Sequence, residues 1–241
     1  MQIQRSLSRT AFFVAFSAAI CLAQFGGLAV AVEPTFEPLF PQGQYEGWTF
    51  GEWADVAQPQ PGDGAPWRID DDMLTGLGRK TWIFSGDEFG DFTLRCDWRV
   101  LPGAEGGIGL RFAPQGDPAA TGLEIQLVDE KKYYPSGARP EQKTGAVYGE
   151  IPPARAAAKK AGQWNTLEVD CAGERVKVTI NDVVVQDIDL DKQTAVRQTG
   201  RESLADRPRR GRIGFQNTKG TVQFRKITIK DLDLVEAKAD E

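Results

Sequence analysis

The chain has 241 residues, with 29 Lys and Arg against 34 Asp and Glu, a formal net charge of −5, and no histidine. Mild acidity without a basic stripe excludes a nucleic-acid backbone as partner. The absence of imidazole removes both the usual neutral-pH proton shuttle and the commonest metal ligand.

The chain opens with a basic stretch carrying Arg5 and Arg9, followed by the apolar run AFFVAFSAAICLAQFGGLAV and Ala29-Val30-Ala31. That order predicts a secretory signal peptide over 1–31, cut before Val32, and hence a periplasmic or secreted protein. Gln24 and the Gly26-Gly27 pair interrupt the run, so no stable membrane insertion is expected after cleavage. Losing Arg5 and Arg9, the two charges of that segment, takes the formal charge from −5 to −7.

A period of two dominates after residue 65. TWIF, DFTLRCDWRV, GIGLRFA, TGLEIQLVD, NTLEVDCAG, RVKVTINDVVVQDIDL, GRIGFQN and VQFRKITIKDL each alternate apolar with polar residues between Gly, Pro, Asn and Asp turns. Short strands at this spacing, with no convincing helix, predict an all-β, two-sheet antiparallel sandwich or jelly roll. Asn181-Asp182 is the expected tight hairpin turn. Segments 49–72, 133–162 and 191–212 read as non-strand, the last as charged and exposed. One domain is expected over 32–234, with a disordered charged tail over 235–241. Cys96 and Cys171 fall on apolar phases; an oxidising compartment permits a bridge, while two small buried side chains are the commoner outcome.

The stretch GLRFAPQGDPAATGLEIQLVDE raises the functional question. If its two strands are neighbours, Arg111, Glu124 and Gln126 project from the side opposite the core. A solvated sheet face accounts for charges there, but carboxylate, amide and guanidinium beside Tyr133, Tyr134, Tyr148 and Trp164 also suit a sugar, held by bidentate hydrogen bonds and flat rings. Glu124 and Asp129 are the leading acid–base pair, with Glu105 and Glu150 behind them. No GxSxG elbow is present, no metal-binding residues are assigned, and Gly106, Gly107 and Gly109 do not open a phosphate-binding helix.

The serial order WRIDDDMLTG, GDEFGDFTLRCDWRV, GGIGLRF, GLEIQLVDE, TGAVYG, KKAGQWNTLEV, RVKVTINDVVV, GRIGFQN and VQFRKITIKDL resembles the 3-keto-disaccharide hydrolase family over about 37–234. The resemblance implies a concanavalin-like or laminin-G-like jelly roll. It also implies activity on glycosides or oligosaccharides whose C3 hydroxyl is oxidised to a ketone. A C3 ketone acidifies the C2 proton; a base forms the enolate, the aglycone leaves C1, and water adds later. On that reading Glu124 is base or metal ligand, Arg111 stabilises the oxyanion, Asp129 is a second carboxylate and Tyr148 a proton donor or stacking ring. Gln126, Tyr133, Trp164, Gln216 and Asn217 hold the sugar. No cofactor is required, although a divalent cation on oxygen ligands is an alternative to Arg111. Where family members carry Q-D-H-G, this chain has QNTKG, with Asn217 and Thr218 in place of the acid and the histidine. A non-catalytic carbohydrate-binding module on the same fold is the rival expectation.

Overall fold

The structure, a computed structural model, describes residues 34–59 and 62–233. The expected signal peptide and the expected disordered tail lie outside the described residues. The described residues group as one compact unit.

In chain order the strands are β1 (Glu37–Pro38), β2 (Trp48–Glu52), β3 (Trp67–Asp70), β4 (Met73–Gly76), β5 (Thr81–Ser85), β6 (Phe92–Val100), β7 (Glu105–Phe112), β8 (Leu123–Val128), β9 (Asn165–Ala172), β10 (Arg175–Ile180), β11 (Val183–Asp189), β12 (Arg212–Lys219) and β13 (Val222–Asp231). Two single helical turns, α1 (Pro118–Thr121) and α2 (Glu130–Tyr133), flank β8. The larger sheet runs β11-β10-β9-β6-β13-β4-β3, with β1 also paired to β13; the smaller runs β2-β5-β12-β7-β8. Every pairing is antiparallel, and the architecture is a two-sheet jelly-roll sandwich.

The alternation explains the layers. Leu94, Cys96, Trp98 and Val100 of the larger sheet face Ile108, Ile125, Leu127, Ile213 and Phe215 of the smaller, all buried in one core. Each such side chain contributes about 1.5–3 kcal/mol on burial. Asn181 and Asp182, at φ 48° and 64°, make the expected hairpin between β10 and β11. Segment 49–72, read as non-strand, instead holds most of β2 and all of β3. Its Gly, Pro and Asp content masked two short edge strands.

Cys96 lies opposite Leu167, and Cys171 opposite Phe92, on neighbouring strands. Four residues of register separate the two sulfurs' strand positions by about 13 Å, beyond the reach of a disulfide. Both thiols are free and buried. Burial pushes both thiols up, that of Cys171 to about 12, so neither is a reactive thiolate.

The decisive local event is in β7. Gly109 pairs with Gly214, but Phe112 pairs with Arg212, so Leu110 and Arg111 oppose Ile213 alone. This is a β-bulge, with Arg111 at φ 51°. One extra residue exchanges the faces beyond it. Phe112 therefore joins Trp82, Phe84 and Val56 in a second apolar cluster on the outer face of the smaller sheet. Arg111, expected on that face, is 1% exposed. Its Nε donates to Gly90 O at 2.8 Å, Nη1 to Gly173 O at 2.6 Å and Nη2 to Asp91 Oδ1 at 3.0 Å. It ties β7 to the β5–β6 and β9–β10 turns and is structural.

The 191–212 segment is exposed over most of 191–202, as expected, but its later part is anchored. Arg207 pairs with Glu150 at 2.6 Å, with the two side chains 1% and 2% exposed. Arg207 Nη1 also donates to Gly122 O at 2.8 Å and Ala119 O at 3.0 Å.

Arg111→Met is expected to lower the unfolding free energy by about 2–4 kcal/mol, because two carbonyls lose their donor and Asp91 loses its guanidinium. A urea-melt difference below about 0.5 kcal/mol, within the range of an ordinary surface change, would refute the clamp. Unfolded without reductant, the domain should present both Cys96 and Cys171 to a thiol reagent.

Candidate functional site

The register writes the outer face of the smaller sheet as rows. One row reads Gly51, Trp82, Gln216, Gly107 and Gln126; the next reads Thr49, Phe84, Gly214, Gly109 and Glu124. The β2–β5 half is aromatic, and the β7–β8 half is polar. Between them, glycines leave room for neighbouring side chains. A Cβ at Gly107 would overlap the Glu124 carboxylate, and one at Gly109 would meet the Phe112 and Trp82 rings. Glu124 thus lies across Gly107, toward Glu105 on the same strand face.

Glu105 and Glu124 are 5% and 3% exposed. Gln126 Nε2 donates to Glu105 Oε1 at 3.0 Å. Glu105 Oε2 and Gln126 Oε1 have no hydrogen-bond partner, although the hydroxyls of Thr218 and Tyr133 stand close enough to favour the charged form of Glu105. Burial raises the Glu105 carboxyl above its ordinary value, with the Thr218, Gln126 and Tyr133 contacts opposing. Glu124 is raised well above the ordinary 4.5, first by burial, then by the charges of Glu105 and Asp117; Arg201 opposes. Like charges in one dry site disfavour double ionisation. Glu105, the less strongly raised, is therefore the member that ionises first, and Glu124 holds its proton to higher pH.

Three phenols stand around the pair. The 144–149 segment runs along the free edge of β8, where Tyr148 N donates to Glu124 O at 2.8 Å and Val147 bridges Ile125. This backbone contact sets Tyr148 beside Glu124. Tyr133 and Tyr134, at the end of α2, meet edge to face with centroids 4.8 Å apart. Burial, followed by the charge of Glu105, pushes the Tyr133 hydroxyl up to about 12. Tyr134 is raised by burial and Tyr148, and Tyr148 by burial and Glu124. All three remain O–H donors at neutral pH. Gln198 presses over Gly149, and Arg201 Nη2 reaches Asp117 Oδ2 at 2.8 Å, so the 191–212 segment borders the same site.

The structure thus brings together Glu124, Gln126, Tyr148, Tyr133 and Gln216, the last accepting from the Thr218 hydroxyl at 2.9 Å. Glu105 takes the place expected for Asp129. Asp129 Oδ2 accepts from Gly103 N at 2.9 Å and anchors a turn. Asn217 is fully buried on the inner side, pinning Gly78 N and the Gly220 carbonyl at 3.1 Å. Trp164 stacks on Arg99 and Arg225 of the larger sheet, away from this face. Glu150 is occupied by Arg207. Asp117, Arg201 and Gln198 were missed as site neighbours. Glu105 had a usable signal, since it shares the phase of Gly107 and Gly109 before the bulge.

Among the described residues no group of three or more His, Cys, Asp or Glu is placed to hold a metal. Three cavities, of ≈ 470, ≈ 430 and ≈ 400 Å³, have neither Glu105 nor Glu124 in their walls. What the arrangement offers is a protonated carboxyl beside an ionisable one, with phenol and amide donors around them. That set suits proton transfer.

The profile of a family described as a 3-keto-alpha-glucoside-1,2-lyase-like domain matches residues 35–230. A provisionally assigned glycosyl hydrolase of Parabacteroides distasonis superposes with a TM-score of 0.70 at 25% identity, over 82% of this chain and 100% of that one. A second from the same organism gives 0.66 at 22% identity, over 82% and 94%. No curated protein matches the chain.

The raised Glu124 carboxyl makes a signed prediction. Between the ordinary value of 4.5 and the higher folded value, the native state binds more protons than the unfolded one. Stability therefore falls as pH rises through that window. Glu124→Gln removes the term, so its stability relative to the parent should grow with pH across the window and then level. A difference independent of pH in chemical melts would show that Glu124 is ionised in the fold.

Proposed function

Since the chain belongs to the 3-keto-alpha-glucoside-1,2-lyase-like family, we propose that it is an exported enzyme cleaving glycosides that bear a C3 ketone, with Glu105 and Glu124 at its centre. The observation behind this reading is the pair itself: two buried carboxyls, both raised, across Gly107. Elimination next to a ketone needs one group to accept a proton and another to donate to the forming enolate oxygen. Glu105, the less strongly raised, accepts the C2 proton. Glu124 keeps its proton and hydrogen-bonds the C3 oxygen, with a tyrosine hydroxyl as second donor. The C1–O bond then breaks, and Glu105 returns the proton to the departing oxygen. Addition of water to the resulting enone completes hydrolysis; release of the enone makes the enzyme a lyase.

Gln126 and Gln216 are the amides for ring hydroxyls. Arg111, buried at the end of the sandwich, takes no part. With both carboxyls at 5% exposure or less, the reading requires Tyr133 and Tyr134, or the 191–212 segment, to move aside for substrate. The basic start and apolar run of residues 1–31 support export. Asn217 and Thr218, standing where family members carry the acid and the histidine, favour the second reading, a non-catalytic sugar-binding module.

On a 3-keto-glucoside, Glu105→Gln and Glu124→Gln are each expected to lower kcat by about 10²–10⁴-fold, while Asp129→Asn stays within a few-fold of the parent. The parent kcat should rise with pH as Glu105 ionises and fall as Glu124 loses its proton, and Glu124→Gln should abolish the alkaline fall. Sugar binding by the parent without turnover of any 3-keto-glycoside selects the binding module.

A further inference from the structure

The opposite face of the molecule carries a second arrangement suited to a ligand. On the outer side of the larger sheet, the register sets Arg68, Thr75, Gln223 and Arg99 in one row. Trp164 immediately precedes Asn165, the partner of Trp98, and so closes this row. The guanidinium carbons of Arg99 and Arg225 lie 4.5 and 4.1 Å from the Trp164 ring centroid. Each guanidinium is held by Nε alone, Arg99 to Gln223 Oε1 at 2.7 Å and Arg225 to Asp97 Oδ2 at 3.0 Å. Their four terminal nitrogens have no hydrogen-bond partner among the described residues.

Lys226 Nζ sits 3.2 Å from the same Asp97 oxygen and is 72% exposed. Lys159 is tied to the Trp164 carbonyl at 3.0 Å, and Lys160 follows it, both exposed. Arg99 and Arg225 thus lie over the tryptophan and Lys159 on its carbonyl, with Lys160 next in sequence and Lys226 beside Asp97, in a chain whose net charge is −5. Arg225 and Lys226 also wall a cavity of ≈ 470 Å³ floored by Phe40, Ile69, Leu74 and Ile227. Its walls include Asp71 and Asp72, so the cationic side is the one toward Trp164.

Oriented guanidinium forks with free ends bind carboxylate or sulfate bidentately, and the Trp164 ring on which both lie fixes their orientation. We propose that this face is a separate, non-catalytic site for an anionic glycan chain, one bearing uronate or sulfate groups, centred on Trp164, Arg99 and Arg225. The proposal rests on the carbohydrate-directed reading of the family and does not depend on the chemistry at Glu105 and Glu124.

The test is affinity electrophoresis of the protein through gels containing polygalacturonate, chondroitin sulfate or neutral amylose. Retardation is expected in at least one anionic gel and not in amylose. Trp164→Ala and the double variant Arg99→Ala/Arg225→Ala should each weaken it about tenfold or more, and salt should reduce it. An unchanged thermal midpoint checks that the variants fold, and turnover at the carboxyl pair should be unaffected in both. No retardation in either anionic gel overturns the proposal, as does retardation that both variants retain. Equal retardation by single-stranded DNA would show a general polyanion surface and also overturn it. Loss of turnover in Glu105→Gln reports on the other site only, so the two readings fail separately.

Discussion

The position of one residue in β7 governs the rest of the molecule's chemistry. Strand side chains alternate strictly, so an unbroken β7 would have set Arg111 two residues beyond Gly109 on the outer face, beside Glu124. The bulge removes it. The guanidinium goes to the end of the sandwich, where it satisfies two carbonyls and Asp91, and Phe112 takes the outer position against Trp82 and Phe84. A basic group is thereby exchanged for an aromatic one on the face that carries the acids.

That exchange explains the electrostatics of the carboxyl pair. With Arg111 in place, Glu124 would have had a cation on its own sheet face and no reason to hold a proton. Without it, the charge of Arg201 lowers the Glu124 value, and burial with Glu105 and Asp117 outweighs it. The glycine at 107 is the steric half of the same device. Only a residue without a side chain lets the Glu124 carboxyl lie across β7 toward Glu105. The raised pair is thus a product of backbone geometry at two positions, one bulge and one glycine.

The two outer faces differ in what covers them. The smaller sheet is closed by phenols and by a charged segment anchored through the buried Arg207–Glu150 pair, which costs too much to desolvate unless its partners are fixed. The larger sheet has its polar ladder open, as in Arg95–Glu168 at 2.6 Å and Arg175–Asp187 at 2.9 Å, pairs that add little stability in water. Burial strengthens proton chemistry on the first face. Exposure leaves guanidinium groups free for a large partner on the second.

The sequence by itself determined the sandwich, because period-two alternation reports burial directly and each strand carries its own signal. It also determined that Glu124 and Gln126 face away from the core, since β8 is regular, and that the Asn181-Asp182 turn joins β10 to β11. Tertiary structure decided the remainder. Arg111 changed sides because a bulge adds one residue without altering the pattern of letters. Asp129 and Asn217 became turn anchors because backbone N–H and carbonyl groups from distant turns needed partners, and Arg207 was buried because Glu150 stood ready to neutralise it. Cys96 and Cys171 stayed apart because register, invisible in either strand alone, set them four residues out of line. The pairing of Glu105 with Glu124 arose in the same way, from two strands and a glycine that meet only in the folded chain.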